Sequence, residues 1–319
     1  MTDGKIPPFS AAAGRVPAGR TSDQVAESIL GETAAVRRPK QWATILRDTW
    51  SYGRTKVGVG LFAFILLLAV LGPAVSPHSP TQFVGAPFAS PSHAALLGTD
   101  NLGRDVLARV LWGGWSVVSL AAVATAIGMA LGVTLGLIAG YASVWLDEIV
   151  MRLGDVILAF PTIVFVLLLV SIEGPKVWLI VLAVGIGHAP RVARVARGAT
   201  LEVAQNEYVE STEAIGVSRG RILFGEILPN ITSPLLVEFA LRMSYSVGII
   251  AALSFLGFGI QPPNADWGLM INENRIALSA QPYAVFIPVL LIATLTIAVN
   301  FAADGLSRAI VGIERETGA

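Results

Sequence analysis

Ionisable side chains inside an otherwise apolar segment are the first candidates for chemistry in this sequence. Glu238 and Arg242 are four residues apart in such a segment, so they lie on one face of a helix and can form an ion pair. Charged residues within a membrane-spanning helix commonly mark a gate or a pathway. A pair close to the end of a helix also serves a purely structural purpose. Both interpretations remain open for this pair.

The residues needed for enzymatic chemistry are missing from the sequence. There is no cysteine, which excludes thiolate nucleophiles and cysteine-ligated metals. His78 and His93 are two possible metal ligands without a third beside them, and such a pair predicts no metal site. The sequence also has no phosphate-binding loop, zinc-protease helix or nucleophile elbow. We therefore expect the chain to provide a pathway and not to catalyse a reaction.

The composition predicts an all-α integral membrane protein. Hydrophobic residues make up 54% of the chain and charged residues 14%, which lies outside the range of soluble proteins. The 22 basic and 22 acidic residues balance, so nothing favours binding to nucleic acid. A transmembrane helix needs about 20 mainly apolar residues. Six windows meet that requirement: 57–75, 117–139, 156–172, 177–195, 234–257 and 283–303.

Lysine and arginine set the orientation, because they are retained on the cytoplasmic side of a membrane. With a cytoplasmic N-terminus, most basic residues fall on the inner side, and both termini are expected in the cytoplasm. Residues 1–20 lack apolar periodicity and are expected to be disordered, while 37–54 is expected to include a short interfacial helix through Trp42, Leu46 and Trp50. The basic residues that fall on the outer side are Arg104, Arg109, Lys176 and Arg275.

The inner connection at 197–233 is long enough to have structure of its own. Asn206 can cap a polar helix that ends before Gly216, and Ser218 can cap a second helix that Pro229 stops. An exposed, partly apolar helix face is how a helix docks in the groove of a partner. The alternative is a loop that packs on its own helices. The face that we expect the first helix to expose consists of Tyr208, Val209, Thr212 and Ile215.

This connection resembles the EAA motif of type-I ABC importer permeases, a cytoplasmic coupling helix that docks on an ATPase subunit. Glu210 and Gly216 hold the Glu and Gly positions of the motif. Ser211 and Thr212 stand where alanines are usual, and both are small enough for tight packing in a groove. The residues that the resemblance implies for coupling to the ATPase are Tyr208, Glu210, Ala214, Gly216, Ile227, Leu228 and Pro229.

Further segments resemble the second permease subunit of dipeptide, oligopeptide and nickel importers. The outer segment 97–109 is similar to the hallmark of that subgroup, while 253–268 and 300–308 resemble its fifth-span exit and sixth-span end. Asp100, Arg104 and Asp105 can form a local charge network, which either meets an external solute-binding protein or serves only its own loop. The residues of this outer motif are Gly98, Asp100, Gly103, Arg104 and Asp105. The possible gate or pathway residues are Glu238, Arg242, Gly257 and Gly259.

The resemblance implies a type-I permease fold in the cytoplasmic (inner) membrane and the uptake of di- or oligopeptides, with nickel or another small solute as an alternative. The expected partners are a second related permease, two ATP-binding subunits and an extracytoplasmic solute-binding protein. No cofactor is expected on this chain, because ATP and Mg would bind to the ATPase subunits. A membrane scaffold or an ion channel is the alternative from another class, although no filter-like loop or acidic ring supports a channel.

The same resemblance divides the chain into parts. We expect residues 1–56 to be a cytoplasmic N-terminal tail that is partly disordered, and 57–114 to comprise the first transmembrane helix and its outer loop. Residues 115–308 form the core transmembrane domain with five helices, including the coupling helices at about 206–230, and 309–319 form a cytoplasmic C-terminal tail.

Overall fold

Helices dominate the protein. The computed structural model describes residues 50, 53–141 and 144–317, and these residues contain no strand beyond isolated bridges in the outer loop. The predictions for 1–20 and for most of 37–54 lie outside the described residues. The helices are, in chain order, α1 Gly53–Val75, α2 Val106–Tyr141, α3 Val144–Leu158, α4 Thr162–Glu173, α5 Val177–Ala204, α6 Glu207–Ala214, α7 Arg219–Ile222, α8 Leu228–Asn230, α9 Thr232–Phe255, α10 Trp267–Asn274 and α11 Tyr283–Thr317.

Five of the described helices are long and apolar enough to cross a membrane: α1, α2, α5, α9 and α11. In α11 the apolar part is Tyr283–Gly305. These helices confirm five of the six predicted windows. In the orientation that the basic residues predict, the inner end of the bundle carries Tyr141 and Ala204, and the outer end carries Val106 and Val177.

The predicted span at 156–172 is wrong as a single helix. The chain instead forms α3 and α4, which meet at a bend of 78° across the short break at 159–161. Pro161 explains the break, because proline has no N–H to donate within a helix and disfavours helical geometry in the residue before it. Pro161 itself has the extended conformation (φ −56°, ψ 127°) and precedes α4. Counted together as one bent span, α3 and α4 bring the number of spans among the described residues to six.

The contact between α2 and α5 is built on glycine. A Cβ atom at Gly132 would lie 2.4 Å from Cβ of Val192 and 2.6 Å from the carbonyl oxygen of Ala189. No real side chain fits at such distances, so the two backbones approach more closely than any other residue allows. Small residues have this role in membrane helix packing. The glycines of α2 that face α5 recur every fourth residue: Gly128, Gly132, Gly136 and Gly140.

The outer end of the bundle is closed by α10. Trp267, its first residue, is fully buried, and its indole N–H donates to the carbonyl oxygen of Val110 at 2.9 Å. The ring lies against Gly113 and Gly114, where an added Cβ would be 3.0 and 2.7 Å from it. This short helix therefore docks on α2 through one large aromatic side chain.

Replacing Gly132 with alanine tests the glycine contact. We expect Gly132→Ala to lower the free energy of unfolding by about 1–3 kcal/mol, because the added methyl group meets the backbone of α5. Thermal unfolding of the detergent-solubilised protein measures the effect. Gly60→Ala is the matched control, since no atom lies within 4 Å of its added Cβ and alanine is the better helix former. Equal midpoints for the two variants would show that the α2–α5 contact tolerates a side chain.

Candidate functional site

The inner connection forms the helices that its capping residues predict. Asn206 precedes α6, and Gly216 follows it with φ +82°, a left-handed conformation that glycine adopts without strain. Ser218 precedes α7, which continues through the π-helical turn Leu223–Ile227 and the short α8 into α9. We call residues 206–230 the coupling segment.

The coupling segment is fixed to the bundle by an apolar cluster separate from the main core. Val209 is 1% exposed and packs with Leu137 of α2 and Ala196 of α5. Tyr141, at the end of α2, donates a hydrogen bond to the carboxylate of Glu213. The buried members of this inner cluster are Leu137, Ala196, Val209, Ile222, Ile227, Ile231 and Leu235.

The prediction that one face of α6 is exposed is therefore wrong for several of its residues. Val209 is buried, and Tyr208 is half-buried and accepts a hydrogen bond from the side-chain amide of Asn230 at 3.0 Å. Thr212 is also half-buried, whereas Ile215 is 80% exposed. The physical reason is that a short polar helix needs tertiary contacts to be stable, so its most apolar positions turn toward the bundle.

The opposite side of the coupling segment faces away from the bundle. Glu210, Ala214 and Gly216 are exposed there beside Ile215, and Phe224 is 66% exposed further along. Of the other candidates, Ile227 is fully buried in the inner cluster, Leu228 is half-buried and Pro229 is exposed. The candidate residues thus divide into an anchoring set and an outward set.

The outer motif forms a buried network of charges. The Oδ2 atom of Asp100 lies 2.6 Å from Nε of Arg104 and 2.7 Å from Nη1 of Arg109. Glu273 of α10 contacts the same two guanidinium groups, at 3.1 and 2.8 Å. Asp100 and Arg109 are both 0% exposed. Two carboxylates and two guanidinium groups therefore neutralise one another inside the protein.

The members of this network differ from those predicted: Glu273 belongs to it and Asp105 does not. Asp105 contacts His78 instead, with 2.8 Å between Oδ2 and Nδ1, and its Oδ1 accepts from the backbone N–H of Leu107. Sequence reasoning does not identify Glu273, because it reaches the outer loop from 169 residues away in the chain. Gly98 and Gly103 are turn residues of the outer loop with φ of +76° and +83°.

Asp266 is a buried residue that caps α10. Its Oδ1 accepts from the backbone N–H of Leu269 at 3.0 Å, and its Oδ2 lies 2.8 Å from the hydroxyl of Ser116. That hydroxyl is also 2.9 Å from the carbonyl oxygen of Gly113, to which it can donate its single proton. Burial raises the pKa of Asp266 above its ordinary value of 3.8. Burial outweighs the hydrogen bonds that Ser116, Ser254 and the backbone N–H groups of Gly268 and Leu269 donate to this carboxyl group, so the net shift of its pKa is upward.

The possible gate residues lie along α9. Glu238 and Arg242 form the predicted ion pair, with 2.8 Å between Oε1 and Nε, and both are buried. The guanidinium group of Arg242 also lies over the ring of Tyr245, 4.9 Å from its centre. Gly257, with φ +84°, follows the end of α9, and Gly259 packs against Ser254.

These features define a class of protein: a helical membrane protein whose described residues form five or six spans, with a short, partly exposed helix at the inner end of the bundle. A family model described as "Binding-protein-dependent transport system inner membrane component" matches residues 132–312. The chain belongs to this family, and it is a multi-pass permease subunit of an ABC importer in the inner membrane. Family membership favours the permease over the scaffold and channel alternatives.

The similar proteins are permease subunits of nearly the same length. The glutathione transport system permease protein GsiD of Pectobacterium atrosepticum is 38% identical over 286 residues, which cover 87% of this chain and 94% of the relative. GsiD of Salmonella typhimurium is 35% identical, with coverage of 86% and 93%. The dipeptide transport system permease protein DppC of Haemophilus influenzae is 33% identical over 88% of this chain and 98% of its own.

A solved structure supports the fold. An inward-facing conformation of the MetNI methionine ABC transporter matches with a TM-score of 0.51 and 19% identity, covering 63% of this chain and 96% of that chain. At this identity the match shows a common fold, that of type-I importer permeases.

The buried carboxyl of Asp266 predicts a pH dependence of stability. Because its folded pKa lies above the ordinary value of 3.8, the stability it contributes is complete below that pH and is lost as the pH rises through the raised folded pKa. Asp266→Asn keeps the size of the side chain and an acceptor for the backbone N–H of Leu269 but does not ionise. We expect the unfolding midpoint of the natural protein to fall, relative to Asp266→Asn, as the pH is raised.

Unfolding midpoints of both proteins across the pH range provide the test. Glu148→Gln is the control, because Glu148 is an exposed partner of Arg152 and its removal should leave the pH profile unchanged. Parallel profiles for the natural protein and Asp266→Asn would contradict a raised pKa for Asp266.

Proposed function

We propose that this chain is one of two permease subunits of an ATP-driven importer that carries peptides into the cytoplasm. The relatives support this solute class, because their names assign glutathione to two of them and dipeptides to the third. Glutathione is itself a tripeptide, so one chemical class covers all three. The same names favour peptides over the nickel alternative.

The observation that carries the proposal is the division of the coupling segment into two faces. Val209 holds α6 to the spanning helices, while Glu210, Ala214 and Ile215 point away from them. A large apolar side chain that is 80% exposed at a helix end is suited to insertion in a partner's groove. We assign that groove to an ATPase subunit, on which ATP and Mg would bind.

The proposed partners complete a pathway that one chain alone does not enclose. Two permeases would pack together, each bearing one ATPase subunit, and an extracytoplasmic solute-binding protein would deliver the solute at the outer end. In this scheme ATP binding closes the ATPase pair and displaces α6. Since the inner cluster joins Val209 to Leu137 and Ala196, the displacement reaches α2 and α5 through packed atoms.

Ile215→Asp tests the docking face. We expect it to weaken ATPase binding by about 2 kcal/mol, or roughly 30-fold in affinity, because it places a charge in an apolar contact. The measurement is retention of the ATPase during purification of the coexpressed complex, followed by solute-stimulated ATP hydrolysis in lipid. Ile276→Asp is the matched control: the same change at an 81% exposed isoleucine of the outer end.

Ile276→Asp should retain the ATPase as the natural chain does. If Ile215→Asp also retains it and ATP hydrolysis remains stimulated by solute, the coupling assignment of α6 is wrong.

A further inference from the structure

A cavity lies between the start of α4, the middle of α5 and the middle of α9. Its volume is about 330 Å³, and its polar lining comprises Thr162, His188, Arg191, Arg242 and Tyr245. A second cavity of about 430 Å³ adjoins it and has Ile163, Tyr245 and Ile249 in common with it. We call the first the arginine cavity, because two guanidinium groups face it.

The arginine cavity lies about midway along α5 and α9 and is open on the side of Arg191, which is exposed, whereas Arg242 is buried. At 1.5 Å per residue, Arg191 is about 21 Å along α5 from its outer end, and Arg242 is about 15 Å along α9 from its inner end. The hydrocarbon of a bilayer is about 30 Å thick. Arginine at such depth is costly unless it lines a water-filled cavity or binds an anion.

The charges at the arginine cavity do not balance. Glu238 pairs with Arg242, but Arg191 makes no ion pair with any acidic residue that the structure describes. The next arginines along α5 do have partners: Arg194 pairs with Asp155 and Arg197 with Asp147. Those two charges are neutralised by their partners, and Arg191 is left as a surplus positive charge beside Arg242.

The lining also contains unsatisfied polar groups. His188 is 1% exposed, and its Nε2 lies 3.0 Å from the hydroxyl of Ser246, but its Nδ1 has no hydrogen-bond partner among the described residues. The break between α3 and α4 places Pro161 and Thr162 at the same cavity. Broken helices occur within membranes where they line a wet cavity, since water then satisfies their backbone. The arginine cavity is therefore cationic, and its lining includes a polar group without a partner among the described residues.

We propose that the arginine cavity binds a carboxylate group of the solute in transit, with Arg191 and Arg242 as its ligands. A guanidinium group matches a carboxylate with two parallel hydrogen bonds, and the surplus charge supplies the attraction. The solutes are therefore small molecules with a free carboxylate, such as the C-terminus of a peptide. This inference rests on the proposed function and adds to it a recognition site within the membrane.

A single introduced thiol can report on the occupancy of the site. The chain has no cysteine, and Gly248 lines the adjoining cavity with no atom within 4 Å of an added Cβ. Gly248→Cys therefore places a unique label in this chain without a clash. The experiment uses the coexpressed complex in lipid, without nucleotide or external binding protein, and follows the reaction of the thiol with an anionic methanethiosulfonate by mass spectrometry of this chain.

Dialanine and dialanine amide are the probes, because they differ only in the terminal carboxylate. We expect dialanine to slow labelling at a concentration about tenfold below that needed for the amide, which corresponds to one charge-assisted contact. Arg191→Gln should remove this preference, and Arg191→Lys should retain only the part that comes from the positive charge, because lysine lacks the paired donors of a guanidinium group. Arg194→Gln is the matched control, since it removes a charge one turn away, outside the arginine cavity.

Equal protection by the two probes in the natural background, or an unchanged preference in Arg191→Gln, would overturn the inference. ATP-driven uptake of dialanine by the complete system separates the two levels. If dialanine is taken up but the two probes protect the thiol equally, the proposed function stands and only the carboxylate site is wrong. If no peptide is taken up, both the proposed function and the carboxylate site are wrong.

Discussion

The close approach of α2 and α5 is the contact on which the arrangement of this permease depends. Between two helices in lipid there is no hydrophobic driving force, so association relies on packing and hydrogen bonds. The glycines of α2 allow that packing at backbone distance, over three successive intervals of four residues. This contact also forms the surface on which the coupling segment packs, because Leu137 of α2 and Ala196 of α5 lie together at the inner end of the two helices.

Different physical interactions hold the two ends of the bundle. The inner end is joined to the coupling segment by apolar side chains, whose contacts are non-directional and survive small displacements. The outer end is held by buried charges, with Asp100 and Glu273 shared between two arginines. A buried ion pair adds little net stability, since desolvation offsets the attraction, but leaving one member unpaired is costly. The outer network therefore specifies that α10 and the outer loop dock together.

The sequence predicts the spans and the coupling helices because local rules govern them. Hydropathy identifies five spans directly, and the caps at Asn206, Gly216 and Ser218 locate α6 and α7. The window at 156–172 fails because an average over apolar residues conceals the single proline that divides it. The inward turn of Val209 and the contribution of Glu273 depend on contacts with distant parts of the chain, which no local pattern contains. The glycine spacing of α2, in contrast, is visible in the sequence and is a signal that small-residue periodicity would have found.

The length of α2 has a mechanical consequence. Its 36 residues extend about 54 Å, well beyond the hydrocarbon thickness of about 30 Å, and no proline interrupts it. Arg109 near one end belongs to the outer network, and Tyr141 at the other end bonds to the coupling segment. A rod of this kind tilts as a whole. Under the proposed function, force applied to the coupling segment by an ATPase would reach the opposite surface of the membrane as a rotation of this one helix, with no relay of intermediate residues to be rearranged.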